Sequence, residues 1–271
     1  MGVQITQQEF FAIRDYIKQH YGINLSDEKQ SLIHTRLSPV IAEHGFSSFD
    51  EYFAFVQRDR EAAVIFIDKV TTNHTYFMRE PDHFDLLRDM ALPWIDKKFA
   101  GQRDLRIWCA GCSSGEEAYT IQMVIKDYFN GRLGWNQEIL ATDLSTRVLR
   151  RAVAGTYTVD AVKPLPEIWR RKYFRQHDKY HLIVNDELRR DVTFRKLNFM
   201  SKLSFAKPFQ VIFCRNVMIY FDIKTRTELI KKFYDCLEPD GFLFVGHSEA
   251  LGSTNYFKPI GPAAYRKVIA D

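Results

Sequence analysis

The chain has 271 residues, 46% hydrophobic and 27% charged, with 22 phenylalanines and a net charge of +4. That is an ordinary globular composition with apolar material for one large or two smaller domains, which argues against disorder across the chain. The four cysteines, Cys109, Cys112, Cys214 and Cys236, are too few for a disulfide scaffold, so reduced thiols in a cytoplasmic protein are expected.

No stretch reaches the ~18 apolar residues of a membrane span; the run from Ala62 to Ile67 ends at Asp68. The first residues lack the layout of a secretory signal. Gly2 fits a loose N-myristoylation pattern, but Thr6 and Glu9 read more simply as a capping box that starts a helix.

From Thr6 the apolar positions Phe10, Ile13 and Ile17 recur at helical spacing, and Gly22 stops the helix. Ser26 can cap a second helix with the stripe Ile33, Leu37, Val40, Ile41; Pro39 predicts a kink or break near Ser38, and Gly45 a stop. Ser48 to Glu51 reads as another capping box, and a fourth helix is expected over Arg60 to Val70. Two further helices are expected, Pro81 to Met90 and Trp94 to Phe99.

The texture changes at Leu105. Strands are expected at Leu105–Cys109, Glu138–Thr142, Val211–Cys214 and Phe242–Val245. Helices are expected from Glu116 to Phe129, from a cap at Ser145 through Arg151, and from Lys224 to Leu237, with a turn at Pro239–Gly241. Strands alternating with helices imply a parallel sheet covered on both faces. Residues 155–196 interrupt the rhythm: His181–Val184 and Val192–Arg195 look like short antiparallel strands of an inserted subdomain. Within it, residues 163–196 carry ten Lys/Arg against five acids, a net +5. Such a module suits nucleic acid, an acidic protein surface, or solvent alone. The expected organisation is a helical domain over 1–72, a linker with leading helices over 73–104, and an α/β domain over 105–271 with the insertion at 155–196.

Four segments carry chemistry. In Trp108–Tyr119 a strand runs through Gly111 and Gly115 into a helix, a topology that binds nucleotide-like ligands beyond parallel strand ends. It is neither GxGxxG nor a P-loop, and Glu116 and Glu117 at the helix start would repel phosphates. They suit a cationic or hydroxyl-rich ligand, or simply complement the helix dipole. Asp143, ending the next strand, either accepts from ribose hydroxyls or caps the following helix. Val70–Glu80 is a polar join between the two halves, where Asn73, Thr75 and Arg79 suit a zwitterion. Phe213–Phe221 places Arg215 and Asn216 at a strand's carboxyl edge, with Tyr220 four residues on.

Together these segments resemble the CheR family, the S-adenosylmethionine-dependent methyltransferases of bacterial chemotaxis receptors. The blocks TTNHTYFMRE (71–80), SSGEEAYT (113–120), ATD (141–143), FCRNVMIYF (213–221) and DGFLFVGHSE (240–249) match in order and spacing. The likeness covers about residues 6–267. It implies an N-terminal all-helical domain joined to a Rossmann-like methyltransferase domain with a small inserted antiparallel β subdomain. It also implies that Asn73, Thr75 and Arg79 hold the methionine end of the cofactor, and that Glu117 contacts it. Asp143 would bind the ribose, and Asn198 and Phe199 would lie beside the adenine. Arg215 and Asn216 would contribute strand-end contacts. Arg79 and Tyr220 would orient groups for catalysis. The reaction implied is methyl-ester formation on receptor glutamates, by a monomer recruited to receptor arrays.

Two departures from the family matter. The stretch Lys29 to Glu43 is not strongly basic, with Ser38 and Pro39 where arginines would stand, so docking of a receptor there is in doubt and the basic 163–196 module is a substitute. The turn between Phe174 and Leu182 is short and glycine-free, which predicts independence from a receptor's C-terminal pentapeptide. Two other readings compete: a nucleic-acid methyltransferase, from the +5 module, and a redox protein, from the CxxC at Cys109–Cys112. Trp169, Tyr173 and Phe174 are expected to face a core rather than bases. The eight histidines show no HExxH or paired spacing, so no metal site is expected, and His247 is read as a loop-ordering residue.

Overall fold

The computed structural model of the protein describes residues 3–132, 134–252 and 254–269, so the Gly2 pattern lies outside the described residues. The N-terminal part is four helices, α1 (Gln7–Tyr21), α2 (Gln30–Glu43), α3 (Phe49–Arg58) and α4 (Arg60–Val70). Local chemistry sets their ends. Glu9 Oε2 accepts from the Thr6 N–H at 2.7 Å while Thr6 Oγ1 accepts from Glu9 N–H, completing the capping box; Gly22 closes α1 at φ +74°. At α3 only half the expected box forms: Ser48 accepts from Glu51 N–H, but Glu51 turns back to Ser47. Pro39 sits inside α2 without ending it. The apolar stripes meet in a core of their own, with Phe10, Ile17, Leu37, Tyr52 and Phe66 buried.

The expected break between Met90 and Trp94 is absent. The chain runs from α5 (Asp82–Leu86) through a π turn (Leu87–Ala91) into α6 (Leu92–Lys98). The Leu92 N–H bonds the Leu87 carbonyl, and this wider turn accommodates Pro93, which has no N–H to give.

The α/β part continues with β1 (Ile107–Ala110), α7 (Glu116–Phe129), β2 (Ile139–Asp143), α8 (Thr146–Ala154), β3 (Thr156–Thr158), α9 (Val159–Val162), α10 (Glu167–Tyr173), β4 (Phe174–Gln176), β5 (His181–Val184), α11 (Asp186–Arg190) and β6 (Val192–Lys196). It ends with β7 (Phe209–Cys214), α12 (Ile223–Cys236), β8 (Leu237–Val245), β9 (Phe257–Gly261) and β10 (Ala264–Lys267). A seven-stranded sheet runs β6-β2-β1-β7-β8-β10-β9, parallel except where β10 lies antiparallel to β8 and β9. Alternation along each strand divides the core. Ile107, Cys109, Phe213 and Phe244 face one layer, and Trp108, Ile212, Cys214 and Leu243 the other.

The inserted antiparallel sheet is β3-β5-β4. Val192–Arg195 does not belong to it: β6 pairs parallel with β2, Ile139 opposite Val192, as an edge strand of the main sheet. Short half-buried strands give no sequence signal of which sheet they join. The Pro239–Gly241 turn also lies within β8, where Asp240 at φ +64° marks an irregularity.

Glu9 joins two helix starts, because its Oε1 also accepts from Asp50 N–H at 3.1 Å in α3. Burial pulls its carboxyl pKa up, but hydrogen bonds from Thr6, Asp50 and Phe49 outweigh this and hold it below the ordinary value. Its contribution is therefore full above the unfolded value of about 4.3 and is lost as pH falls through the lower folded value. Glu9→Gln is expected to lower stability at pH 7 by about 1–2 kcal/mol. In urea titrations at several pH values, the gap to wild type should close below about pH 4.

Candidate active site

The carboxyl ends of β1, β2 and β7 open toward the helical part, and the loops leaving them build one cavity of about 540 Å³. Its walls come from three places: Tyr21–Leu32 of the helical part, the join at 70–79, and the loops of the sheet. Asn73, Thr75, Arg79, Glu117, Asp143, Asn198, Phe199, Arg215, Asn216 and Tyr220 all line it. The seam is fastened on either side. Asn24 N–H donates to the Tyr220 carbonyl at 2.7 Å, Ile23 bridges Phe221, and Lys18 pairs with Asp222 at 2.9 Å. Opposite, Asp68 Oδ2 accepts from Thr146 Oγ1 and Arg147 N–H at 2.7 and 3.1 Å, serving the α8 N-terminus from α4.

After β1, Gly111 turns at φ +90°, and a Cβ there would meet Val217 Cγ2 at 2.4 Å. Gly115 follows at φ +98°, with Ala152 Cβ 2.9 Å from where its own Cβ would stand. The two glycines thus let loops and α8 pack close. Of the two acids that follow, only Glu117 faces the cavity. Glu116 is buried and accepts from Ser114 Oγ at 2.8 Å.

Asp143 is buried, Oδ1 accepting from Ser145 N–H and Oδ2 from Ser113 N–H, both at 2.9 Å. It therefore orders the turn before α8, while Ser145 is the cap. Burial raises its pKa against those bonds, and each oxygen keeps acceptor capacity.

The loop after β7 carries a buried guanidinium. Arg215 Nη2 lies 3.1 Å from Glu80 Oε2 and also donates to the Arg79 carbonyl, and Nη1 lies 3.1 Å from Glu117 Oε2. Nη1 is off the line that a hydrogen bond to Glu117 needs. The two acids respond oppositely. Burial lifts the Glu80 pKa, but Arg215 and the Asn216 amide, 3.2 Å away, outweigh it and hold the group below its ordinary value. Deeper burial lifts Glu117 above its ordinary value in spite of Arg215. Glu80 is the firm partner, and Glu117 the poorly aligned one that faces the cavity.

Asn216 itself stands at φ +59°, with its N–H held by Glu249 Oε2 at 2.6 Å. Glu249, wholly buried, also accepts from Gly246 N–H at 2.7 Å and Ile219 N–H at 3.0 Å. This fixes the short turn that presents Tyr220. Burial raises the Tyr220 pKa against the pull of Arg79 and Arg36, so the phenol is protonated and a donor at neutral pH. Arg79 is steadied by Nη1 donating to the His74 carbonyl at 3.0 Å and by the Tyr76 ring, 5.6 Å from its Cζ. Asn73 accepts Ser113 Oγ on its carbonyl at 2.9 Å.

Asn198 is placed less simply. Its amide donates to the His20 carbonyl at 2.8 Å and accepts from Met200 N–H at 3.0 Å, so much of its capacity fastens the seam. Phe199 edges the cavity while packing against Trp108 and Phe233.

Glu80 and Glu249 were not among the candidates. Both stood in quoted blocks, but a carboxylate's partners across a fold leave no trace in spacing. Among the described residues, Glu80, His83 and His247 bring three ligand atoms within 4.8 Å. The Arg215 guanidinium on Glu80 opposes a cation there. The redox alternative is not favoured: burial pushes the Cys109 and Cys112 thiols far above their ordinary values, and Cys109 donates to Glu117 Oε1. Nor is the nucleic-acid reading, since Tyr173 and Phe174 are buried and Lys163, Arg171, Lys172, Arg175 and Arg189 are already ion-paired.

Residues 8–71 match the family described as CheR methyltransferase, all-alpha domain, and residues 73–265 that described as CheR methyltransferase, SAM binding domain. The chemotaxis protein methyltransferase of Borreliella burgdorferi is 42% identical over 98% of this chain and 96% of that relative. The one from Escherichia coli is 36% identical over 90% and 85%, and chemotaxis protein methyltransferase 2 of Pseudomonas aeruginosa 34% over 96% and 93%. A solved S-adenosylmethionine-dependent methyltransferase from Mesorhizobium loti aligns at 15% identity and a TM-score of 0.31, over 52% of this chain and 46% of that one.

Glu80→Ala leaves Arg215 buried with one poorly aligned acid, and is expected to lower stability by about 3 kcal/mol, read from chemical unfolding. A loss under about 0.5 kcal/mol, the level of an ordinary surface change, would remove Glu80 as the firm partner.

Proposed function

Because the chain belongs to the CheR methyltransferase family, we propose that it methylates glutamate side chains of chemotaxis receptors from S-adenosylmethionine, forming glutamyl methyl esters. The observation that carries the reading is the meeting of all ten candidate residues on one cavity between the two family parts. The donor set fits this cofactor. Asp143 offers acceptor capacity to a diol, Glu117 offers an under-committed acid to a cationic group, and Arg79 offers donors to a carboxylate. The α7 N-terminus is not bare as a phosphate would want, since Glu117 stands in its first turn.

When bound, S-adenosylmethionine supplies a methyl group already activated by its sulfonium. The acceptor carboxylate, with an ordinary pKa of about 4.3, is ionised at neutral pH and needs no general base. The chain's work is therefore alignment and exclusion of water. Arg79 and Tyr220 orient groups by donating hydrogen bonds. Tyr220, whose pKa is raised, is unsuited to take a proton at neutral pH. Asn73, Thr75, Asn216 and the 198–199 segment complete the walls. We read the chain as a cytoplasmic monomer recruited to receptor arrays.

Radiolabelled S-adenosylmethionine with a receptor cytoplasmic fragment should give protein-bound label that alkali releases as methanol; an alkali-stable label would reject the ester. Arg79→Ala should lose at least about tenfold in rate. In calorimetry, Asp143→Ala should lose saturable binding of the cofactor and of S-adenosylhomocysteine, and unchanged titrations would reject the diol role.

The reading includes independence from a receptor pentapeptide. Only four residues, 177–180, link β4 and β5, and Asp178 Oδ1 accepts from Tyr180 N–H and His181 N–H at 2.7 and 2.9 Å, keeping the turn tight. A C-terminal receptor pentapeptide is expected to show no saturable binding in fluorescence anisotropy. Micromolar binding would overturn this.

A further inference from the structure

A second hollow, of about 430 Å³, opens beside the cavity and shares Thr71, Thr72 and Asn73 with it. Four cations line it: Arg36 from α2, Lys69 from the end of α4, and Arg147 and Arg151 from α8. Asp68 is the one carboxylate among the lining residues, and its Oδ2 is engaged by the α8 N-terminus. Among the described residues, none of the four cations appears in an ion pair within 4.0 Å. The basic module at 163–196 contrasts with this, since half of its cations are paired.

The fold holds these charges together against their repulsion. Arg36 is fastened by Nη1 to the Val70 carbonyl and by Nη2 to Thr72 Oγ1 at 2.9 Å. Burial, and further the charge of Arg147, hold the Arg36 pKa below its ordinary value, against Tyr220. Arg147 and Arg151, both exposed, are one helical turn apart on the same face, a like-charge spacing that disfavours the helix. Such a cluster gains from an anionic partner, and carboxylates one turn apart on an acidic helix match that spacing.

We infer that this hollow, formed across the seam by α8 and the end of α4, docks an acidic helical segment of the acceptor protein flanking the glutamate to be methylated. The inference rests on the proposed methyl transfer and adds where the acceptor lies. The shared Asn73 edge lets a segment seated on Arg147 and Arg151 carry a neighbouring side chain into the cavity toward Arg79.

The test is steady-state methylation of a receptor cytoplasmic fragment by wild type, Lys69→Glu and the double variant Arg147→Glu/Arg151→Glu, with cofactor affinity measured calorimetrically. None of these side chains is placed in the methyl-transfer machinery. Expected is a rise in KM for the fragment of about tenfold in the double variant, with kcat and the cofactor Kd within about twofold of wild type, and a flatter dependence of KM on salt. The conservative pair Arg147→Lys/Arg151→Lys should keep most of the wild-type KM. An unchanged KM in the double variant, a loss of cofactor affinity instead, or tighter binding of a single-stranded RNA than of the fragment through these arginines would each overturn the inference. Wild type failing to methylate the fragment would instead reject the proposed function.

Discussion

Arg215 is the interaction on which the site depends. A guanidinium with no exposed side-chain surface sits at the carboxyl edge of the central sheet, between Glu80 of the join and Glu117 of α7. Removing a charge from water is costly unless it is paired, so the arginine holds both acids, and with Glu80 the whole 73–80 segment, over the sheet edge. Because Glu80 is the better aligned partner, Glu117 stays under-committed and faces the cavity. One buried cation thus holds a firm structural pair and leaves a second acid on the cavity wall.

Around it the backbone is held in conformations that ordinary residues avoid. Met78, Glu80, Ser113 and Asn216 all stand at positive φ; Ser113 and Asn216 line the cavity, and Glu80 holds Arg215 at its edge. Each loop has an anchor. Asp143 takes the Ser113 N–H, Glu249 takes the Asn216 and Ile219 N–H groups, and Arg215 takes the Arg79 carbonyl. Buried carboxylates that accept several backbone N–H groups make such turns rigid, which suits a reaction that asks for alignment rather than proton transfer.

The helical part is a wall of the site as much as a separate core. It supplies Tyr21 to Leu32 to the cavity and fastens itself through Asn24 to Tyr220, His20 to Asn198 and Asp68 to α8. The last contact matters twice. It ties the α8 N-terminus to α4 across the seam, and it fixes the one carboxylate that lines the hollow, where four cations outnumber it.

The sequence by itself determined most of the N-terminal helices, the parallel core of the sheet and the family, and through the family resemblance the residues that meet in the cavity; it carried no signal for β3, β4, β9, β10 or α9 to α11. What it determined rests on local signals: 3.6- and 2-residue periodicity, caps such as Thr6–Glu9, and long motif blocks in register. Only the tertiary structure decided that β6 joins the main sheet, that the helix from Asp82 passes through Pro93 by a π turn, and that Asn198 is largely engaged at the seam. It also decided that Glu80 and Glu249, rather than their neighbours, carry the loops, and that Arg36, Lys69, Arg147 and Arg151 converge. Apart from the local π turn, the physical reason is shared. Strand partner, hydrogen-bond partner and charge neighbour are set by residues far along the chain, 33 positions for Asn216 and Glu249 and 178 for Asn198 and His20, and a one-dimensional pattern holds periods and spacings but not which distant groups a fold brings together.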